Sequence, residues 1–165
     1  MQAQIHPDAK IGHVHLKVSD LERAVRFYSE VLGFELQTRY GSDAAFLSAG
    51  GYHHHIGLNV WHSKGAGPAP VNSAGLYHFA IVFPDRTALA TTVKRILDNG
   101  WPLDGAADHL VSEAVYLRDP DGNGIELYRD RPRDEWPHND DGSLAMATLP
   151  LDLGDLLSGV GDGAG

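Results

Sequence analysis

A chain of 165 residues with 42% hydrophobic content is long enough to close one sizeable core. The formal charge of -9 and the lack of any clustered Lys/Arg run exclude nucleic acid as a partner, and no apolar stretch is long enough to span a bilayer. The absence of cysteine excludes disulfides, thiolate metal sites and a cysteine nucleophile, so any metal must bind through His, Asp or Glu.

The N-terminus, MQAQIHPDAK, lacks the apolar region of a secretory signal, and a soluble cytoplasmic protein is expected. From Gly12 to Val18 the pattern alternates, with Val14, Leu16 and Val18 on one face and His13, His15 and Lys17 on the other. Ser19 or Asp20 can cap a helix carrying Leu21, Ala24, Val25, Tyr28 and Leu32 at helical spacing, and Gly33 stops it. Strands are expected at 35–40, 44–48 and 54–61, followed by a Gly/Ala/Pro-rich loop at 63–73. The same order then returns: a strand at 76–83, a helix at 85–97 ended by Gly100, and strands at 111–117 and 124–128. The chain thus reads as an α+β fold of paired βαβββ units, about 10–62 and 75–130, forming a curved mixed sheet around a metal-binding cleft. Residues 131–165 form a tail with a short helix near 151–157, and the acidic Asp140, Asp141, Asp152, Asp155 and Asp162 there serve solubility rather than a cationic partner.

Alternation also sorts the polar residues. If Val14, Leu16 and Val18 face the helix, His13 and His15 face the cleft; Phe79, Ile81 and Phe83 likewise turn His78 inward, and Ile125 and Leu127 turn Glu126 inward. A lone histidine on a strand is more often an ordinary solvent-facing residue, but three at matching positions favour a site. Two neutral imidazoles and one carboxylate with open positions form the facial triad of non-haem Fe(II) enzymes.

The segments GHVHLKVSDLERAVRFYSEVLGF, GLYHFAIV and YLRDPDGNGIELY resemble the vicinal-oxygen-chelate superfamily (glyoxalase, bleomycin resistance, dioxygenase), and within it the type I extradiol ring-cleaving dioxygenases. The resemblance covers about residues 10 to 130 and implies metal ligands at His13, His78 and Glu126. It implies Fe(II), with Mn, Ni or Zn as other metals, a catechol-type diol and O2 as substrates, and a homodimer. DHLVSEAVYLRDPDGNGIELY is similar to the dioxygenase stretch that places a substrate-contacting His at His109 and an acid or hydrogen-bonding Tyr at Tyr116. GGYHHHIGLN is similar to the strand presenting a distal His. Motif matching favours His54, whereas alternation back from Ile56 sends His53 and His55 into the cleft. Tyr52, Trp61 and Tyr128 suit a flat ring. Two other functions remain open: a glyoxalase I-like isomerase or epimerase using Ni or Zn through four protein ligands, against which Gly57 stands where the extra Glu belongs, and a metal-free protein that sequesters a small molecule.

Overall fold

Apolar alternation and two capped helices produce the same unit twice in the computed structural model, which describes residues 4–160. Residues 1–3 and 161–165, with Asp162 of the acidic tail, lie outside the described residues. The first unit runs β1 (Val14–Lys17), α1 (Leu21–Arg26), β2 (Glu35–Tyr40), β3 (Ala44–Ser48) and β4 (Ile56–Asn59). The second runs β5 (His78–Phe83), α2 (Arg86–Asp98), β6 (Gly105–Asp108), β7 (Ser112–Arg118) and β8 (Gly124–Asp130). Two elements of the tail complete the set, β9 (Leu149–Pro150) and α3 (Leu153–Ser158).

The strands divide between two sheets, ordered β1-β4-β3-β2 and β5-β8-β7-β6-β9. In each, the first strand of the unit pairs in parallel with the last, and the remaining strands are antiparallel. Each helix covers one face of its own sheet: Asp20 caps α1 by accepting from Arg23 N–H, and Asp85 caps α2 by accepting from Ala88 N–H. Beyond Arg26 the first helix widens into a π-helical turn, Phe27–Val31, in which Leu32 N–H donates to the Phe27 carbonyl at 3.1 Å. Phe27, Tyr28 and Val31 all point into the core from this turn. One apolar cluster joins the units, with Val18, Leu47 and Leu58 from the first packing with Leu89, Ile96 and Leu127 from the second.

Polar clamps fix how the units meet. The turn at 119–123 follows β7, and Asp119, only 4% exposed, accepts from Asp121 N–H, Asn123 N–H, Asn123 Nδ2 and the Tyr28 hydroxyl, the last at 3.0 Å. Burial, and then the Asp119 carboxylate, hold the Tyr28 hydroxyl well above its ordinary pKa, so it remains a donor. Asp121 accepts from Ser19 N–H, Ser19 Oγ and Arg23 Nη2 across the junction. Arg95 of α2 donates to the Leu32 carbonyl at 2.9 Å, packing over Gly33 (φ +87°), where a Cβ would collide with the guanidinium.

Two strands were not expected, β6 and the two-residue β9: β6, GAAD, is too short and small-residued to alternate, and its pairing with β7 and β9 fixes it instead. The tail helix forms at 153–158 under an Asp152 cap and buries Leu156 in the shared core, while Asp155 binds Arg86 at 2.7 Å. No helix of the described residues is long and apolar enough to cross a membrane.

Tyr28→Phe leaves a buried carboxylate oxygen of Asp119 with one partner fewer. A loss of about 1–3 kcal/mol is expected, read as a lowered urea midpoint at unchanged m-value.

Candidate metal centre and acid–base cleft

The parallel pairing of β5 with β8 sets His78 opposite Gly124 and Ala80 opposite Glu126, so His78 and Glu126 share the sheet face away from α2. Their side chains meet, with His78 Nε2 3.0 Å from Glu126 Oε2. The close approach requires glycine at 124, because a Cβ there would lie 2.2 Å from the Tyr77 carbonyl oxygen and 3.0 Å from His78 Cβ. Tyr116 of β7 pairs with Glu126 and shares its face. Its hydroxyl lies 3.2 Å from Glu126 Oε1 and 2.6 Å from His109 Nε2. Partial burial and then the Glu126 carboxylate push the Tyr116 hydroxyl up to about 12, so it is a proton donor rather than a phenolate.

His78, Glu126, Tyr116 and His109 therefore form one connected line. A cleft of about 400 Å³ borders three of these four, His78, Tyr116 and His109, and is lined also by Tyr77, Arg118 and Thr148 among others. Tyr77 was not singled out from sequence. The residue is 84% exposed and its ring lies 5.3 Å from that of His78, and an aromatic residue adjoining a candidate ligand at the mouth of a strand was the available signal. Thr148 and the Ala147 carbonyl, which bonds His109 Nδ1 at 2.8 Å, come from the tail and have no signature in sequence, since any residue carries a carbonyl.

The other half-site lies on the first sheet. His13 immediately precedes β1, and it and His15 lie on the exposed face, as alternation requires. The His54 ring stands against His13 at 4.5 Å between centroids and against Phe46 at 5.1 Å. His53 Nδ1 lies 2.8 Å from His54 Nδ1, and His53 itself is exposed. His55 turns toward the end of β3, where its Nδ1 accepts from Ala49 N–H at 3.3 Å and lies 3.4 Å from Ser48 Oγ. Slight desolvation, then the neighbouring imidazoles of His13 and His53, hold His54 below its ordinary pKa; desolvation followed by His13 does the same to His15. Trp61 lies 5.6 Å from His15 and half-exposed, Tyr52 stacks on His55 at 4.7 Å, and Tyr128 lies on the Glu126 face, two residues along β8.

The two half-sites do not merge within the chain. The groove beside His13 is bounded on the second unit by Phe79, Ala80, Ile81 and Val82, not by His78. Among the described residues no group of three His, Asp or Glu side chains is placed to hold one ion. The structure thus brings together His78, Glu126, Tyr116 and His109, and separately His13 and His54.

The register also shows how the duplication is broken. Two residues after His78, Ala80 pairs with Glu126; two residues after His13, His15 pairs with Gly57. Gly57 is therefore the counterpart of Glu126, and a Cβ there would meet the His15 ring at 3.0 Å. The first unit offers an imidazole and no carboxylate, whereas the second offers both. As donors, neutral imidazole nitrogens and a single carboxylate oxygen suit a borderline divalent ion.

Residues 10–127 match the model of the Glyoxalase/Bleomycin resistance protein/Dioxygenase superfamily. The chain is 40% identical over 159 residues to the catechol-2,3-dioxygenase of Bacillus subtilis, a match covering 96% of this chain and 54% of that protein. It is 30% identical over 122 residues to biphenyl-2,3-diol 1,2-dioxygenase 3 of Rhodococcus globerulus, covering 73% of this chain and 63% of that one. The chain thus spans little more than half the length of these two relatives. Among solved structures, the lactoylglutathione lyase of Agrobacterium tumefaciens superposes with a TM-score of 0.56 at 24% identity, covering 75% of this chain and 96% of that one. That likeness extends to the fold alone.

Proposed function

The chain belongs to the glyoxalase/bleomycin resistance protein/dioxygenase superfamily, and on that premise we propose that it is an extradiol-type dioxygenase that opens a catechol-like aromatic diol with O2, with Fe(II) as its metal. One observation carries the choice of chemistry: Gly57 occupies the counterpart of Glu126, so the combined donor set is two imidazoles and one carboxylate. A four-ligand isomerase needs a second carboxylate there, and a sequestering protein needs neither the His78–Glu126 contact at 3.0 Å nor the hydrogen-bonded residues behind it.

His78 and Glu126 would hold the ion together with His13, and the bound ion would supply a centre at which diol and oxygen meet and exchange charge. The chain's own residues do the rest. Tyr116, kept protonated beside Glu126, hydrogen-bonds a diol hydroxyl placed over the cleft through its phenolic oxygen. His109 Nε2, 2.6 Å from the Tyr116 hydroxyl, takes up through that hydroxyl the proton that the diol releases. His54, resting on His13, is the acid–base group on the opposite wall, and His55 holds the 49–55 turn. Tyr77 offers a ring beside His78 for the flat substrate.

Since His13 and the His78–Glu126 pair lie on separate exposed sheet faces, these faces must come together, and we assign the closure to a second copy of the chain. A two-fold pairing sets the first unit of each copy against the second unit of the other and creates two equivalent sites. The large apolar residues left on these surfaces, Trp61 at 52% and Val82 at 57% exposed, suit burial in such an interface.

Two experiments test the reading. Anaerobic loading with Fe(II), then an oxygen-uptake assay across a panel of catechols, is expected to give uptake with at least one diol and loss of bound iron in Glu126→Ala. Iron retained with no uptake on any diol would leave an isomerase or another metalloprotein. For the assembly, His13→Ala and Glu126→Ala are each expected to be inactive, and an equimolar mixture allowed to exchange subunits is expected to regain about a quarter of wild-type activity, because half the dimers are mixed and each has one intact site of two. No recovery in a mixture shown to have exchanged contradicts the shared site.

A further inference from the structure

His109 sits in the turn between β6 and β7, a turn tight enough to hold Leu110 at φ 70°. The turn is pinned by His109 N–H donating to the Ser112 carbonyl and Leu110 N–H donating to Asp108 Oδ1, both at 2.8 Å. Both imidazole nitrogens of His109 have partners: Nε2 faces the Tyr116 hydroxyl at 2.6 Å, and Nδ1 faces the Ala147 carbonyl oxygen at 2.8 Å. A carbonyl oxygen can only accept, so the second contact requires the proton on Nδ1. In the neutral ring Nε2 then carries the lone pair, directed at the hydroxyl that borders the cleft.

Ala147 belongs to the segment beyond the family-matched span, which ends at residue 127. Several contacts hold this segment in place. Ala147 N–H donates back to the His109 carbonyl at 3.4 Å, Leu149 and Pro150 pair with Asp108 and Ala107, and Leu156 of α3 is 1% exposed in the common core. Arg86 ties the same helix to β7, reaching Asp155 at 2.7 Å and Glu113 at 3.0 Å. Thr148, next in the chain after Ala147, forms part of the cleft wall.

We propose that the C-terminal segment is a positioning element of the site: its Ala147 carbonyl fixes His109 as the Nδ1–H tautomer and so presents Nε2 to the cleft as a proton acceptor. Tyr116 has one hydroxyl proton and two acceptors, His109 Nε2 at 2.6 Å and Glu126 Oε1 at 3.2 Å. With the tautomer fixed, that proton goes to His109. A substrate hydroxyl releases its proton to the Tyr116 oxygen as Tyr116 passes its own proton to Nε2, which then donates to the Tyr116 oxygen, and the new tyrosine proton turns to Glu126. The step moves one proton from the substrate oxygen to Nε2 and reorients one hydroxyl, with no change in oxidation state. The inference rests on the reading of His109 as the acid–base group of the cleft, and its primary test does not depend on turnover.

The test is the long-range 1H–15N correlation of the histidine rings in the full chain loaded with Zn(II) as a diamagnetic stand-in, with His109 assigned by its loss in His109→Gln. The expected pattern is a protonated Nδ1 and an unprotonated Nε2; a proton on Nε2 instead overturns the proposal. Leu156→Asp, which undocks α3, and a chain ending at residue 143 are then expected to lose the fixed tautomer and to drop kcat at least tenfold at unchanged metal content. An unchanged tautomer in either folded variant overturns the role of the segment. A fixed tautomer in a protein that consumes no oxygen with any diol leaves this inference standing and removes the dioxygenase reading.

Discussion

The close approach of β5 and β8 at Gly124 is the constraint on which the rest of the site depends. With no side chain at 124, the two parallel strands bring the His78 ring and the Glu126 carboxylate to 3.0 Å on one exposed face. Once Glu126 is fixed there, the antiparallel register of β7 sets Tyr116 beside it, and the β6–β7 turn sets His109 beside Tyr116. The hub at Asp119 supports this arrangement from below, since the turn that delivers β8 is closed by its carboxylate and anchored to α1 through Tyr28. The core beneath is apolar and shared between the units, so the placement of polar groups on the outer faces follows from what the inner faces bury.

The duplicated unit is preserved in its backbone and broken in its chemistry. Both copies begin with a histidine at the mouth of the first strand, but only the second copy keeps a carboxylate at the paired position, Gly57 replacing it in the first. One copy is therefore a histidine-rich surface, with His13, His15 and His54 grouped near Phe46 and Trp61. The other is a carboxylate–imidazole pair backed by a phenol and a second imidazole. Each half is chemically incomplete, and each is exposed on a face that carries apolar side chains. An asymmetric donor set of this kind matches a reaction in which one side of the ion faces protein and the other faces two small-molecule partners.

Much of this was legible in the sequence because it rests on local rules. Period-two alternation located β1 and β5 and set His13, His78 and Glu126 on the faces away from the helices, and the helix starts were legible at Ser19 or Asp20 and at residue 85, where Asp20 and Asp85 prove to be the caps. What stayed hidden depends on long-range pairing or on backbone. β6 has no alternation and exists through its neighbours, and Asp121 bonds a helix start a hundred residues away. The paired units were legible, whereas the division of their strands between two sheets follows from edge pairing, because alternation fixes which face a side chain takes but not which edges join. For the same reason it could place three candidate ligands on matching faces without bringing them to one point. The histidine triplet was ambiguous because a turn, not a strand, carries it: β4 starts at Ile56, so strand alternation does not extend back to His54.

The central claim, that the ion is held by two imidazoles and one carboxylate, is tested most directly by X-ray absorption of the anaerobic Fe(II)-loaded protein, in which imidazole ligands are counted from their multiple scattering. The account predicts two imidazoles, with oxygen donors in the remaining positions, falling to one in His13→Ala. A single imidazole in the wild type, or a count that His13→Ala leaves unchanged, would contradict it.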